Sequence, residues 1–275
     1  MSIPRHALLP FAILFLWFPH SAGAQISIIG ELSQDQEAPA GGSYQGEITV
    51  RNDGTEPQEA KVYQTDYLFF SDGTNQYGEP GSAPRSNARW VRFSPSYIVI
   101  PPQSSTAVNY TVSVPADSTG KNLIGTYWSM LMVEGIAPGS AESALTSKKK
   151  LAEMGVKQTL RYGIQIATTI AATGKKSVRF VDSKIIKGPK GAVALQVDLE
   201  DNGTLGIRPE VYAEIFNAKG ESQGKFPGHR YRMYPGTSVR QAIDLGTLVP
   251  GTYKALVVVD AGGEDVFGAQ YTLQI

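Results

Sequence analysis

The stretch "VPGTYKALVVVD" at residues 249–260 has a counterpart upstream, "IGTYWSMLMVE" at residues 124–134. In both stretches Gly-Thr-Tyr opens an apolar run that ends in a carboxylate. The landmarks before them also follow one order, with Asn-Asp-Gly-Thr at 52–55 and a Pro turn at 101–102 in the first half, and Asp-Asn-Gly-Thr at 201–204 and a Pro turn at 235–236 in the second. Matching landmarks in matching order predict two copies of one module.

The apolar residues along both halves recur with a period of two. In residues 106–114 and 193–200 they alternate with small or polar residues, which is typical of a strand with one buried face. Turn-forming residues such as Ser71-Asp72-Gly73 separate these runs. Each copy has room for about seven strands, the number of an immunoglobulin-like sandwich. The sequence therefore predicts an all-β fold, with two immunoglobulin-like β-sandwich domains in tandem.

The repeated Gly-Thr-Tyr has a structural interpretation in such a sandwich. A Tyr near the start of the sixth strand sends its hydroxyl to nearby backbone where the chain turns between sheets. Tyr127 and Tyr253 fit this role, and Gly125 and Gly251 would permit the tight bend before them.

The first 24 residues are typical of an export signal. Residues 7–18 are an apolar stretch too short to cross a bilayer as a helix, and Ala22-Gly23-Ala24 supplies a small-x-small cleavage pattern. We expect a signal peptide over 1–24, cleaved after Ala24, and a periplasmic or secreted protein with no membrane span after cleavage.

Composition divides the remaining chain into two predicted domains, 25–172 and 176–275, joined by a hinge at "TGKK" (173–176). Residues 134–158 are rich in Ala, Ser, Gly and Lys and predict a long loop in the first domain, with room for a short helix over 145–154. Lys148 to Lys150 in that loop fit a solvated face or a phosphate site.

Residue counts argue against catalysis. Cysteine is absent, and His6 and His20 lie in the leader, so His229 is the one histidine beyond it. A Ser or Cys nucleophile needs a basic partner and zinc draws on Cys and His clusters, so we predict no enzyme, no metal site and no cofactor. A carboxylate pair of the glycosidase kind stays open. With 25 basic and 25 acidic residues, the chain is not predicted to bind nucleic acid.

Two longer stretches carry a family resemblance. "WVRFSPSYIVIPPQSSTAVNYTVSVP" (90–115) and "GTYWSMLMVEGIAP" (125–138), followed by a long loop and the alternating strand "TLRYGIQIATTIAAT" (159–173), resemble the amino-terminal domain of the PapD-like periplasmic pilus chaperones. The resemblance covers most of residues 26–172. Residues 176–275 match only in size, position and strand count.

The resemblance implies a chaperone or assembly factor whose protein client is a pilus-like subunit that lacks one strand, with an outer-membrane assembly pore as a further partner. Such chaperones lend their seventh strand to the subunit, pairing backbone to backbone. By position the donated face would be Leu160, Tyr162, Ile164 and Ile166. The same alternation equally fits four side chains that pack into their own core.

One feature of this chain departs from the family. Members anchor the subunit's terminal carboxylate with an Arg on the first strand and a Lys on the seventh, whereas the first strand here, "ISIIGELSQ" (26–34), has no Arg. The resemblance leaves Lys157 and Arg161 as a possible carboxylate anchor.

Two further clusters combine cations with aromatic residues. "KFPGHRYRMY" (225–234) and the arginines 85, 89 and 92 around Trp90 could hold an anionic ligand, and the first of them also fits a solvated strand of the second sandwich. These clusters support an alternative function: a non-catalytic two-domain surface or periplasmic protein, binding or structural, that recognises a protein or a glycan.

Overall fold

The structure is a computed structural model that describes residues 26–116, 122–137, 139–145 and 159–275. Across these ranges the chain forms β-strands and two short 3-10 helices, Ala88–Trp90 and Pro189–Gly191, and no α-helix. The all-β prediction is therefore confirmed. The expected signal peptide, Lys157 and most of the expected helix over 145–154 lie outside the described residues. Within the described ranges, no helix is long and apolar enough to cross a membrane.

The first sandwich contains two sheets. One has the strand order β1-β3-β8-β6, and the other β2-β10-β9-β4-β5, with β7 paired to β4. The strands are β1 (Ile26–Ile29), β2 (Ser33–Ala38), β3 (Ser43–Asn52), β4 (Gln58–Phe69), β5 (Asn75–Gly78), β6 (Val91–Ser94), β7 (Tyr97–Ile100), β8 (Ser104–Ser113), β9 (Thr126–Ile136) and β10 (Arg161–Ile170).

The inward residues of these two sheets form one core. Val108 and Val112 on β8 are fully buried against Leu131 and Val133 on β9, as the alternation in the sequence predicts. Burying each such side chain contributes about 1.5–3 kcal/mol. With no cysteine in the chain, apolar burial takes the place of disulfides in this core.

The second sandwich repeats the arrangement with two sheets of order β11-β12-β15 and β14-β13-β16-β17. Leu195, Leu199, Ile243 and Val257 are fully buried between them. The strands are β11 (Val178–Lys187), β12 (Ala192–Asp201), β13 (Glu210–Phe216), β14 (Ser222–Pro227), β15 (Ser238–Thr247), β16 (Thr252–Asp260) and β17 (Val266–Gln274).

The two Gly-Thr-Tyr tyrosines both bond to nearby backbone, in different ways. Tyr253 donates its hydroxyl hydrogen to the carbonyl of Val249 at 2.7 Å, as predicted for the corner. The Tyr127 hydroxyl instead accepts a long 3.5 Å bond from the Ile124 N–H. Gly125 has a φ of 74°, so only the first of the two bends requires glycine for its backbone.

The junction between the sandwiches is tightly bonded. Thr126 donates its N–H to the carbonyl of Thr204 at 2.8 Å, and a Cβ added at Gly125 would overlap that carbonyl. Thr204 also donates its N–H to the carbonyl of Lys175 at 2.8 Å. The predicted hinge at 173–176 is therefore hydrogen-bonded to the second sandwich, because its backbone lies beside residues 204–205.

Residues 225–234 differ from the predicted solvated strand. Only Lys225 to Pro227 belong to β14, and the chain then turns toward the first sandwich. Met233 and Tyr234 are buried, with 0% and 1% of their surface exposed. The apolar residues at the end of this segment are part of the junction, whereas exposed residues continue up to Tyr231.

Candidate functional site

The outer edge of β10 is half covered. One edge of the strand pairs antiparallel with β9 from Arg161 to Thr169. On the other edge, β2 runs parallel and pairs only with residues 165–170. No described strand pairs with residues 161–164 on that side.

The hydrogen bonds next to this edge tell which backbone groups face outward. Leu160 accepts from the Gly135 N–H on the β9 side, whereas Gln165 donates its N–H to Leu32 on the β2 side. Since the backbone N–H and C=O groups of successive residues point to opposite edges of a strand, those of Arg161 and Gly163 face the uncovered edge. This edge is a template for one more strand.

The four side chains predicted as the donated face point inward. Ile164 and Ile166 are 0% exposed and belong to the core of their own sandwich. Tyr162 is half-buried and donates its hydroxyl to the carbonyl of Ile26 at 2.8 Å, and Leu160 is also half-buried. Own-core packing, the alternative left open by the sequence, thus describes the two isoleucines in the free protein. Contact of these residues with a client stays a prediction.

Arg161 lies on the opposite, outward face of β10 and is already ion-paired. Its Nε lies 2.9 Å from Glu134 on β9, and its side chain is 62% exposed. Burial raises the pKa of Glu134, but hydrogen bonds from Tyr63 and Arg161 and the nearby charge of Lys61 bring it below its ordinary value. An anionic ligand at Arg161 would therefore compete with Glu134. Lys157, the other candidate anchor, is not among the described residues.

A cleft of about 920 Å³ adjoins this strand. Its floor is the outward face of the sheet formed by β10, β9, β4 and β5. Gly163 leaves room there for Met130, because a Cβ at Gly163 would overlap the methionine sulfur. The apolar part of the floor consists of Tyr63, Tyr67, Tyr77, Met130 and Met132.

The opposite wall of the cleft belongs to the second sandwich and is basic. It contributes Arg208, Arg230 and Arg232. Arg232 is ion-paired with Asp35 on β2, and Arg230 lies 3.7 Å from Glu210 in an exposed pair. Arg208 has no ion pair among the described residues. The wall thus has positive charge available for an anion.

Asp35 at the rim of the cleft illustrates the competition between burial and charge. Burial raises the pKa of its carboxyl, while the Arg232 guanidinium and the Tyr234 hydroxyl lower it in part. The outcome is a pKa above the ordinary value for aspartate. The ion pair with Arg232 therefore joins two partly desolvated groups at the junction.

The arginine wall was only partly predicted from the sequence. Arg230 and Arg232 belong to the cluster at 225–234, which the sequence marked as a possible anion site, and both lie in the cleft. Arg208 was missed, since it stands alone between β12 and β13. Of the other cluster, Arg85 lies over the Tyr127 ring at 5.3 Å, away from the cleft lining.

The described residues contain no group of three or more His, Asp or Glu side chains that could hold a metal ion. Two buried carboxylates of the first sandwich, Glu134 and Glu59, are each held by several donors. The groups that the cleft and the strand edge offer to a ligand are backbone N–H and C=O, aromatic surface and guanidinium groups.

Comparison with known proteins gives similarity at the level of structure. No protein-family model and no curated protein matches the sequence. The chain is similar to the class 5 fimbriae chaperone CfaA, with 13% identity, a TM-score of 0.45, and 90% of this chain and 98% of that chain covered. It is also similar to a chain of the CsuC–CsuE chaperone–tip adhesion subunit pre-assembly complex from the archaic chaperone-usher Csu pili of Acinetobacter baumannii, with 15% identity, a TM-score of 0.44, and coverage of 89% and 98%. The pilus chaperones that the sequence resembles are thus also among the solved structures similar to this chain.

Proposed function

We propose that this protein is a chaperone for pilus-like subunits and that it binds them by strand addition at the uncovered edge of β10. The observation that carries the proposal is the outward-facing backbone of Arg161 and Gly163, next to a large cleft. A subunit that lacks one strand exposes the complementary edge, and main-chain hydrogen bonds join the two. While it is bound, that edge is protected from aggregation.

The side chains at the two ends of β10 differ in how deeply they are buried. Ile164 and Ile166 are fixed in the core of the first sandwich, so this part of the strand is held in one position. Leu160 and Tyr162 are half-buried and are the alternate residues with surface left for a partner. Because the strand is ordered before binding, less conformational entropy is lost when a client strand pairs with it.

The charges around the cleft suit a client that ends its strand in a carboxylate. Arg161 and Arg208 lie on opposite sides of the cleft, and Arg208 forms no ion pair within 4 Å in the described part of the chain, although its charge lowers the pKa of Asp35. Guanidinium groups bind carboxylates with two parallel hydrogen bonds. In this proposal the second sandwich supplies positive charge in place of the Arg that is missing from the first strand. Lys157 remains the other candidate.

The setting that fits this activity is the periplasm. The apolar stretch at 7–18 and the Ala-Gly-Ala at 22–24 support export and cleavage after Ala24. A chaperone that holds pilus-like subunits there would pass them to an outer-membrane assembly pore. We propose no catalytic activity and no cofactor for it.

A second candidate function is recognition of a glycan or a folded protein in the cleft, without strand addition. It is favoured by the three tyrosines 63, 67 and 77, which line the cleft together with the arginines. Aromatic rings and guanidinium groups are common in such sites.

An affinity pull-down from the envelope fraction of the source cell separates these functions. We expect the mature protein to retain a subunit that lacks a strand, and R161E to retain at least about tenfold less of it, which is a loss of about 1.4 kcal/mol. R179E is the matched control, since Arg179 is 59% exposed and is likewise paired with a glutamate on the neighbouring strand. An eluate with no protein, or with polysaccharide alone, would contradict the proposal.

A further inference from the structure

Strand β17 is an uncovered sheet edge in the second sandwich. It is the last strand in the order β14-β13-β16-β17 and pairs only with β16. Its sequence over Val266–Gln274, VFGAQYTLQ, has no charged residue and no proline. Soluble proteins usually protect an edge of this length with charges, proline, bulges or a covering element.

The register with β16 shows which groups of β17 face outward. Gly251 and Ile275 exchange both of their N–H and C=O bonds, at 3.3 and 3.0 Å. Odd-numbered residues of β17 therefore bond to β16, and the N–H and C=O of Gly268, Gln270, Thr272 and Gln274 point to the outer edge. No strand in the described ranges pairs with them.

In the first sandwich the corresponding final strand, β10, is partly covered. There β2 leaves the first sheet and covers β10 over residues 165–170. In the second sandwich β11 stays paired with β12 along its whole length, so β17 has no such cover. The duplicated module thus has one half-covered and one uncovered final strand.

The other described edge strands of more than four residues are protected. Strand β11 has a bulge after Phe180 and carries Lys184 and Lys187. Strand β14 carries Lys225 and ends at Pro227. Charged residues also lie on β2 and β15. Among the edge strands of the described ranges, only β17 combines length with the absence of these devices.

We propose that β17 pairs antiparallel with β17 of a second copy of this chain, about a two-fold axis at Gln270. Strands that face each other in this register place Gln270 opposite Gln270, Gly268 opposite Thr272, and Val266 opposite Gln274. Gly268, Gln270 and Thr272 have N–H and C=O groups that face the edge, so their hydrogen bonds match between the two copies. The Val266 N–H is already donated to Glu264 at 3.1 Å, so the pairing ends there.

The side chains of β17 suit this self-pairing. On the inner face the same register sets Phe267 opposite Leu273 and Ala269 opposite Tyr271, which are apolar pairs that extend both cores. On the outer face no charge meets a like charge, because the strand has none. An isologous contact of this kind closes on itself and joins the two sheets into one.

The mass of the full mature protein in solution, measured by analytical ultracentrifugation across a dilution series, tests the proposal. We expect a dimer. Q270K brings two ammonium groups together at the axis and should raise the dimer dissociation constant roughly tenfold. Q270P should abolish the dimer while the monomer still folds, since the N–H that it removes faces outward.

Two control variants locate the contact. Q223K makes the same exchange on β14, another exposed edge of the same sheet, and should leave the dimer intact. R161E should also leave the dimer intact, because Arg161 lies on β10 and not on β17. Dimerisation through β17 is therefore tested independently of strand addition at β10. A wild-type protein that stays monomeric at its highest soluble concentration, or a dimer lost in R161E but not in Q270K, would overturn the proposal.

Discussion

The ring of Tyr234 in the second sandwich stacks on the indole of Trp128 in the first, with centroids 4.7 Å apart and planes 12° from parallel. Both side chains are buried, at 1% and 3% exposure. The indole Nε1–H of Trp128 donates to the carbonyl of Tyr67 at 2.9 Å, and the Tyr234 hydroxyl lies 3.2 Å from the Ser33 hydroxyl. One aromatic pair therefore ties three strands of the first sandwich to the second.

Y234A should weaken the junction strongly. It removes a buried aromatic ring and the stacking of that ring on Trp128, and such truncations cost roughly 3–5 kcal/mol. We expect this loss in the free energy of unfolding measured by urea denaturation. Y231A is the control, since Tyr231 is 42% exposed, and should cost less than about 1 kcal/mol. Equal losses in the two variants would show that the stacked pair does not hold the junction.

Gly125 should tolerate no side chain, for two separable reasons. Its φ is 74°, and a Cβ there would also overlap the Thr204 carbonyl. G262A measures the cost of the positive φ alone, because Gly262 has a φ of 82° and nothing within 4 Å of an added Cβ. G262A should cost about 1–2 kcal/mol, and G125A clearly more. Thermal unfolding of both variants measures the difference; indistinguishable midpoints would contradict the close approach of the two sandwiches.

Asp201 should make stability fall as pH rises. Its side chain is fully buried, one oxygen accepts from the Gly203 N–H at 2.9 Å, and the other has no hydrogen-bond partner. Burial raises its pKa to about 7. Between about pH 4 and pH 7 the Asp201 carboxyl is therefore protonated in the folded state but ionised in the unfolded state, where its pKa is the ordinary 3.8. The free energy of unfolding falls progressively over this range.

D201N removes this ionisation and should stabilise the protein by roughly 1–3 kcal/mol at pH 8, with a smaller gain at pH 5. Denaturation midpoints at several pH values give the profile. D260N is the matched control, because Asp260 makes the same bond to a glycine N–H two residues on, at 2.8 Å, but is only half-buried. A D201N gain that does not change with pH would refute the assignment.

Glu59 should hold residues 143–145, which lie within the predicted loop 134–158. Its carboxylate accepts from the N–H groups of Ala144 and Leu145 at 2.8 and 3.1 Å, and from the hydroxyls of Ser143 and Tyr97. Burial raises its pKa, but these four bonds together lower it below 4.5. The stability that Glu59 contributes is therefore present above that pH and lost as the pH falls through the folded pKa.

E59A should speed cleavage by thermolysin at Leu145, because the segment loses its anchor. E142A serves as the comparison: Glu142 pairs with Lys61 at the surface, where an ion pair contributes little. We expect severalfold faster cleavage in E59A and little change in E142A. The same rate in E59A and the wild type would show that other contacts fix residues 139–145.

The repeated pattern predicted the fold because this pattern depends only on residues that are close together in the sequence. Val108 and Val112 alternate with polar residues, and both are buried as expected. The two Gly-containing turns also match, since β3 ends at Asn52 and β12 at Asp201, and each side chain accepts from the glycine N–H two residues on. Asn52 additionally donates to three carbonyls, which a carboxylate cannot do, and this explains the orphaned oxygen of Asp201.

The site was less predictable because it depends on contacts between distant parts of the chain. Alternation placed Ile164 and Ile166 on one face of β10 but could not tell which face is buried. No local sequence pattern predicts that Tyr234 stacks on Trp128, or that Arg208 and Arg161 lie on opposite sides of one cleft. The parallel pairing of β2 with β10, which decides where the edge is free, is also invisible in the sequence.

Amide hydrogen exchange along β10, with and without a bound subunit, tests the central claim most directly. In the free protein the amides of Arg161 and Gly163 should exchange fast, whereas those of Tyr162 and Ile164, which bond to β9, should be protected. Binding of the subunit should protect Arg161 and Gly163 and leave the other two unchanged. A complex in which Arg161 and Gly163 exchange as fast as in the free protein would contradict strand addition at this edge.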